Sequence, residues 1–298
     1  MSNMHPFPCG IPGILGQSFK YLSLPAEDYH SGIDVQSCSL LKPMLISPAH
    51  YQAQFFESRE TSAAMEFGTL IHTLVLEPSL FMAQYAVFPG KRNVRDKDFK
   101  AFCTANPGKM VIDDVSLQTA RILVDKILHR TFRGRLFGDY VAEGEPEVSI
   151  YFSDPVTGVQ CRTRIDLLHP EYLFDLKTSA FIVLREWLRH AISLDYDLQA
   201  YMYSLGHCLL AGRQTPLPFV FITAESDRPF SVSSFTAGES FLREGGRKYR
   251  EAISGYAACT AVQHWPDAGV ETTLELEYWQ SGAAAVQAWR ADLPAALP

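Results

Sequence analysis

Two short stretches carry the residue types most able to do chemistry, Arg162-Thr-Arg-Ile-Asp166 and Phe174-Asp175-Leu-Lys177-Thr178. In a β-strand, residues two apart point to the same face, so Asp175 and Lys177 project together. Hairpin pairing can bring Asp166 beside them. Charges on strands that are otherwise apolar need partners. Two carboxylates alone repel, and a hard divalent cation between them removes that cost while selecting oxygen ligands; magnesium is the natural occupant, with manganese as a substitute. Such a cation polarises a phosphodiester, stabilises the added negative charge of its transition state and lowers the pKa of an attacking water. Lys177 is then placed to orient that water or to assist proton removal. A plain ion pair between Lys177 and one aspartate is the other reading of this spacing.

The elements that must position these residues follow from periodicity. Glu147–Ser153 alternates as a strand, Asp154-Pro-Val-Thr-Gly158 is turn chemistry, and Val159–Leu168 reads as the returning strand. Tyr172–Thr178 is a third strand. Pro218–Ala224 has the continuous apolar character of a buried central strand, with Phe230–Phe235 alternating like its neighbour. Helical spacing is expected from Pro48 onward, with Phe67, Leu70, Ile71, Leu74 and Val75 repeating until Pro78, which puts His72 on a helix. Further helices are expected at Asp98–Thr104, Val115–Arg130, Val183–Ala191, Asp195–Leu210 and Ala237–Ala257. This order predicts an α/β fold with a mixed central sheet flanked by helices. It excludes a TIM barrel, and no GxGxxG follows a first strand.

Composition sets the outer bounds. The 298 residues are 47% hydrophobic and 20% charged, the profile of a folded globular chain. No apolar run of about 18 residues occurs, and the first basic residue is Lys20, so a soluble, cytoplasmic protein without membrane association is expected. The six cysteines are never closer than 29 positions (38 − 9), which spells out neither zinc pairs nor an iron–sulfur cluster. No GxxxxGK[ST] occurs, so ATP is not expected as a cofactor. The net charge is −7, yet eleven basic and five acidic residues between Lys91 and Arg135 give that segment +6 and leave −13 for the remainder. Such a split suits a local phosphate-tracking surface on an anionic body, or a solvated helix face.

The order of a helical His72, Glu147 opening a strand, Asp166, Asp175-Leu-Lys177-Thr178 and a helix bearing Gln199-Ala-Tyr-Met-Tyr203 resembles the PD-(D/E)xK nuclease superfamily. More narrowly, Ser47-Pro-Ala-His-Tyr51, Phe67-Gly-Thr-Leu-Ile-His72, Arg95-Asp-Lys-Asp-Phe99, Val159-Gln-Cys-Arg-Thr-Arg164 and Tyr196-Asp-Leu-Gln-Ala200 are similar to the RecE-type (exonuclease VIII) phage recombination exonucleases. The resemblance implies a restriction-endonuclease-like core in residues 36–265, preceded by an irregular arm (1–35) and followed by an extension (266–298). It implies that Asp166, Asp175 and the backbone carbonyl of Leu176 are metal ligands, with His72 and Glu147 completing the set. Asp166, Asp175, Lys177, Gln199 and Tyr203 would be the catalytic group. Gln199 and Tyr203, at i and i+4, share a helix face. Arg162, Arg164, Thr178 and Ser47 are candidate phosphate contacts; for Arg164 an ion pair with Glu147, and for Ser47 a helix cap, are equally open.

The activity implied is magnesium-dependent 5′-to-3′ digestion of double-stranded DNA ends, leaving 3′ single strands for strand-annealing recombination. A homo-oligomeric ring, trimer or tetramer, a single-strand annealing partner and a phage or prophage origin in a bacterial host belong to the same expectation. A structure-specific or restriction-like endonuclease is the alternative. A non-catalytic DNA- or partner-binding protein on this scaffold is a third reading.

Overall fold

The computed structural model describes residues 18–21, 24, 28–29, 34–56 and 62–267. The chain divides into a body, Met1–Pro266, and a C-terminal unit, Asp267–Pro298. All but residue 267 of the C-terminal unit, and residues 1–17 of the expected arm, lie outside the described residues.

Among the described residues, six strands form one sheet whose spatial order follows the chain: β1 (Phe19–Tyr21), β2 (Glu145–Ser153), β3 (Gln160–His169), β4 (Tyr172–Ser179), β5 (Phe219–Glu225) and β6 (Val232–Thr236). All neighbours are antiparallel except β4 and β5, which run parallel. A parallel pair needs a crossover. Here the crossover holds two helices, α3 (Leu184–Ser193) and α4 (Tyr196–Ala211). Helices α1 (Ala63–Leu76) and α2 (Asp114–Leu128) precede the meander, and α5 (Glu239–Val262) ends the body. Among the described residues, no helix is long and apolar enough to cross a membrane.

The sheet separates two apolar clusters, as alternation along half-buried strands requires. Val148, Ile150, Phe152, Ile165, Phe219 and Phe221 pack with Trp187 of α3, Leu198, Met202 and Leu205 of α4, and Tyr249 and Ile253 of α5. Phe174, Leu176, Val220 and Ile222 pack on the other face with Leu70, Ile71 and Val75 of α1 and Leu117, Leu123 and Ile127 of α2. Each such side chain, fully buried, contributes about 1.5–3 kcal/mol relative to exposure. The α/β architecture with a mixed central sheet flanked by helices is therefore as the sequence predicts.

Several parts differ from that expectation. The N-terminal arm is not wholly irregular: β1 pairs with β2, Phe19 opposite Tyr151, and their rings stack at 5.5 Å. A parallel pair, Tyr85–Phe88 with Met110–Asp113, a hairpin, Thr131–Phe132 with Arg135–Leu136, and a helix, Phe137–Glu143, carry no expectation because each is too short for periodicity to show.

Two devices fix the elements nearest the charged motifs. The turn after β2 is wound around Asp154, whose Oδ1 accepts from Thr157 N at 2.8 Å. Its carboxylate also receives both Arg250 amines, at 2.9 and 3.1 Å, and Tyr249 Oη at 2.9 Å, tying the hairpin to α5. Helix α4 begins against α5 where Gly245 lies; a Cβ there would collide with Asp197 O. Lys248 pairs with Asp195 and Asp197 at 2.7 and 3.1 Å across this junction.

Candidate active site

The sheet opens where the charged residues lie. Strands β3 and β4 pair through His169↔Tyr172, Leu168↔Leu173 and Leu167↔Phe174, and the ladder stops there, while β4 continues alongside β5 to Ser179↔Glu225. Asp166 comes next on β3. Its Oδ2 accepts a hydrogen bond from Leu176 N at 2.8 Å, a side chain replacing the missing backbone partner.

Alternation also breaks at this level. Ile165 packs into the cluster under α4 and α5, whereas Leu167, two residues on, packs into the one under α1 and α2. On a regular strand both would share a face. Glu147, facing Asp166 between the pairs Pro146↔Leu167 and Val148↔Ile165, has φ 50°. A non-glycine residue in that region costs about 1–2 kcal/mol. The cost falls where two carboxylates are brought into one opening.

Helix α1 supplies the imidazole. Gly68 lets the helix close on β4, since a Cβ there would stand 3.1 Å from Thr178 Oγ1. One turn later His72 Nε2 donates to Leu176 O at 2.7 Å, which turns Nδ1 toward Asp166 Oδ2 (3.7 Å) and Glu147 Oε1 (4.0 Å). His72, Glu147 and Asp166 each offer a ligand atom within 4.8 Å of the others. Burial alone would lower the His72 pKa, but the Asp166 and Glu147 carboxylates outweigh it and raise the pKa to about 9. Burial pushes Asp166 above the usual carboxylate range, opposed by His72 and Lys177.

Asp175 stands beside this group with both oxygens engaged. Gln199 Nε2 donates to Oδ1 at 2.6 Å, and Lys177 Nζ meets Oδ2 at 2.6 Å. Burial raises the Asp175 pKa to about 6 although Lys177 pulls it down. Burial works against the Lys177 charge, yet Asp175 and Asp166 more than compensate and hold its pKa above the ordinary lysine range. The ammonium also lies 5.0 Å from the centre of the Tyr196 ring, an attraction between cation and aromatic face. Sequence reasoning gives Tyr196 no role of its own; its spacing of three from Gln199 on one helix is the signal that could have found it.

Of the expected ligands, His72, Glu147 and Asp166 thus form the group able to hold a metal ion, while Asp175 and Leu176 O adjoin it in contacts of their own. The donor set is imidazole and carboxylate, suited to a hard or borderline divalent cation. Placing an anionic substrate against Glu147 and Asp166 without such a cation is opposed by like-charge repulsion. The residues present therefore fit a divalent ion.

The remaining expected residues separate. Tyr203, one turn past Gln199 on α4, is half-buried edge-on to Phe219 at 6.3 Å, and burial holds its hydroxyl protonated. Thr178 is half-buried against Gly68. Arg164 Nε donates to Ser149 Oγ at 3.1 Å and lies 3.6 Å from Glu147 Oε2; a terminal nitrogen donates to Leu24 O. Arg162 departs from its expected role: it is 3% exposed, its guanidinium stacked 5.0 Å from the Tyr29 ring centre, and so is covered from any phosphate in solvent. Ser47 departs likewise. Its buried hydroxyl caps the helix Pro48–Ala53 through His50 N at 3.2 Å and meets His50 Nδ1 at 2.7 Å.

A cleft of about 940 Å³ runs along α1, walled by Met65, Gly68, Thr69 and His72 on one side and by Glu147 and Arg164 on the other. Glu77 lines it too, its pKa raised by burial and by Glu147.

The chain is similar to a Eubacterium rectale protein of known crystal structure described as a putative exonuclease, with 14% identity and a TM-score of 0.52 over 88% of this chain and 99% of that one. At that identity the likeness establishes the fold. No curated protein matches the chain. Residues 37–274, well over half of the sequence, match the model of the PDDEXK-like domain of unknown function, DUF3799, and the chain belongs to that family.

Proposed function

We propose that this protein is a divalent-metal-dependent deoxyribonuclease that hydrolyses phosphodiester bonds at the ends of linear duplex DNA, degrading the 5′-terminated strand to leave 3′ single strands. One observation carries the reading: His72, Glu147 and Asp166 converge within 4.8 Å at a break in the sheet, beside the Asp175–Lys177 pair and along a cleft. When bound, a divalent cation, magnesium or manganese, supplies Lewis-acid activation of water and neutralisation of developing phosphate charge.

The chain's own residues divide the remaining work. His72, Glu147 and Asp166 hold the cation. Gln199 fixes the Asp175 carboxylate, and Asp175 holds the Lys177 ammonium charged. A lysine kept protonated in this way stabilises negative charge on a phosphate or orients the attacking water, rather than removing its proton. Arg164, beside Glu147 on the cleft wall, has Nε held by Ser149, one terminal nitrogen by Leu24 O and its face 4.7 Å from the Tyr29 ring centre, so it offers a terminal phosphate a fixed positive charge and its remaining terminal nitrogen rather than a free fork. The 5′ polarity, the ring-shaped homo-oligomer and the single-strand annealing partner rest on the motif resemblance and are part of the same proposal.

The test is digestion of end-labelled linear duplex, with and without a 5′-phosphate, in Mg²⁺ or Ca²⁺, beside closed circular DNA. Release of 5′ label in Mg²⁺ with the circle intact is expected. Nicking of the circle would replace the exonuclease reading by an endonuclease, and no cleavage of any DNA with Mg²⁺ or Mn²⁺ would leave a binding protein on this scaffold.

A further inference from the structure

The fold sorts the basic stretch between Lys91 and Arg135 into tied and untied charges. Lys109 donates to Met82 O at 2.7 Å and Lys126 to Pro229 O at 2.5 Å, while Arg135 pairs with Glu143 at 2.5 Å. Arg92 pairs with Glu66 of α1 at 2.5 Å, and its backbone N–H reaches Asp113 Oδ2 at 2.9 Å. Arg121, Arg130 and Arg133 are exposed on α2 and at the hairpin after it, whereas Lys91, Arg95, Lys97 and Lys100 are gathered within ten residues. All four are exposed, and among the described residues none has an acidic partner across the structure.

These four charges sit on a folded knuckle. Gly90, at φ 120°, turns the chain into it. Asn93 accepts from Arg95 N at 3.0 Å through its side chain and from Asp96 N at 2.9 Å through its backbone. Asp96 caps the helix Lys97–Ala105 through Asp98 N at 2.8 Å. Phe99 and Phe102 of that helix meet Phe88 edge-on at 5.2 and 5.5 Å. The Arg92–Glu66 pair fastens the knuckle to α1 next to Met65, which walls the cleft.

We propose that this knuckle holds the sugar–phosphate backbone of the DNA flank outside the cleft, without regard to sequence; the inference rests on the nuclease reading. Unpaired cations on an ordered support gain from releasing the counterions of a polyphosphate. Lysine and arginine contacts to phosphates position the duplex and carry no base code. On a chain whose remainder carries −13, such a patch also orients the approach of DNA toward the cleft.

The test is fluorescence anisotropy of a labelled duplex of about 30 base pairs, several helical turns so that flank and end both have room, bound by the full chain in Ca²⁺ across a salt series. The Lys91→Gln/Arg95→Gln double variant, the quadruple variant adding Lys97→Gln and Lys100→Gln, and Arg243→Gln on α5 as control are compared with wild type. The plot of log affinity against log salt should flatten by about 0.9 for each phosphate no longer neutralised, about 1.8 for the double variant, with a similar weakening for duplexes of unrelated sequence. Arg243→Gln should keep the wild-type slope. If wild type binds and degrades the duplex while both variants keep its slope and affinity, the knuckle is overturned alone; a wild type without affinity for DNA overturns it together with the nuclease reading.

Discussion

Gln199 Nε2 donates to Asp175 Oδ1 across 2.6 Å, joining helix α4 to strand β4 at the point where the sheet opens. The other Asp175 oxygen lies 2.6 Å from Lys177 Nζ. The carboxylate is thus held from two sides, and its direction sets where the ammonium stands. Replacing Gln199 by Leu removes a hydrogen bond to a buried carboxylate, an interaction of about 1.5–3 kcal/mol. Turnover of linear duplex is expected to fall about 10- to 100-fold, and the melting temperature by several degrees, since each kcal/mol is worth roughly 2 °C or more in a domain of this size. Gln199→Glu, which sets two carboxylates together, should be worse. Wild-type turnover in Gln199→Leu would remove this residue from the positioning chain.

Lys177→Met tests the charge itself. Loss of a preorganised donor at a reacting centre costs about 10²–10³ in rate. The variant should also raise the Asp175 pKa beyond about 6, because Lys177 is what pulls it down. Carbon NMR of the aspartate carboxylates reads that shift directly, and an unshifted Asp175 would mean that the pair does not exist in solution.

Metal uptake should be coupled to proton release at His72. Its pKa of about 9 keeps the ring charged at neutral pH when no cation is bound, and a ligand nitrogen must be free of its proton. Apparent metal affinity is therefore expected to rise with pH, about tenfold per unit below pH 9 for one proton. The metal-free protein has the opposite trend. A group raised from 6.5 to about 9 contributes stability that is complete below 6.5 and lost as pH rises through 9. Calorimetry of Mn²⁺ binding in two buffers of different ionisation enthalpy checks the first. Melting in chelator across pH 6–10 checks the second.

Gly245→Ala should destabilise the body. Its Cβ would run into Asp197 O, a backbone atom with no free rotamer to yield. Overpacking of this kind costs about 1–3 kcal/mol, and it pushes on the helix start that carries Tyr196 and Gln199. Urea unfolding should show the loss, with activity reduced in the surviving folded fraction.

The legible parts of this protein were those written in local order. The 2-residue and 3.6-residue periods located five of the six sheet strands, β1 in the arm being missed, and the long helices to within a few residues, apart from α1, whose start at Ala63 they did not mark, and α5, whose C-terminal end lies five residues past the expected one, at Val262 rather than Ala257. Asp175 and Lys177 share a face because they are two apart on one strand, and Gln199 and Tyr203 share one because they are four apart on a helix. Short strands such as Tyr85–Phe88 were invisible, because four residues settle no period.

What only the tertiary structure decided are the relations between distant segments. His72 and Leu176 meet across 104 positions, and nothing in either neighbourhood specifies the other. The lapse of alternation at Glu147 and Asp166 contradicts strand regularity, and it exists because two packed clusters on opposite sheet faces claim Ile165 and Leu167. Tyr29 over Arg162 and the Ser47 cap withdrew two residues whose types alone suggested phosphate contacts. Residue type and spacing fix which chemistry is available; burial and long-range packing fix which side chains are left free to perform it.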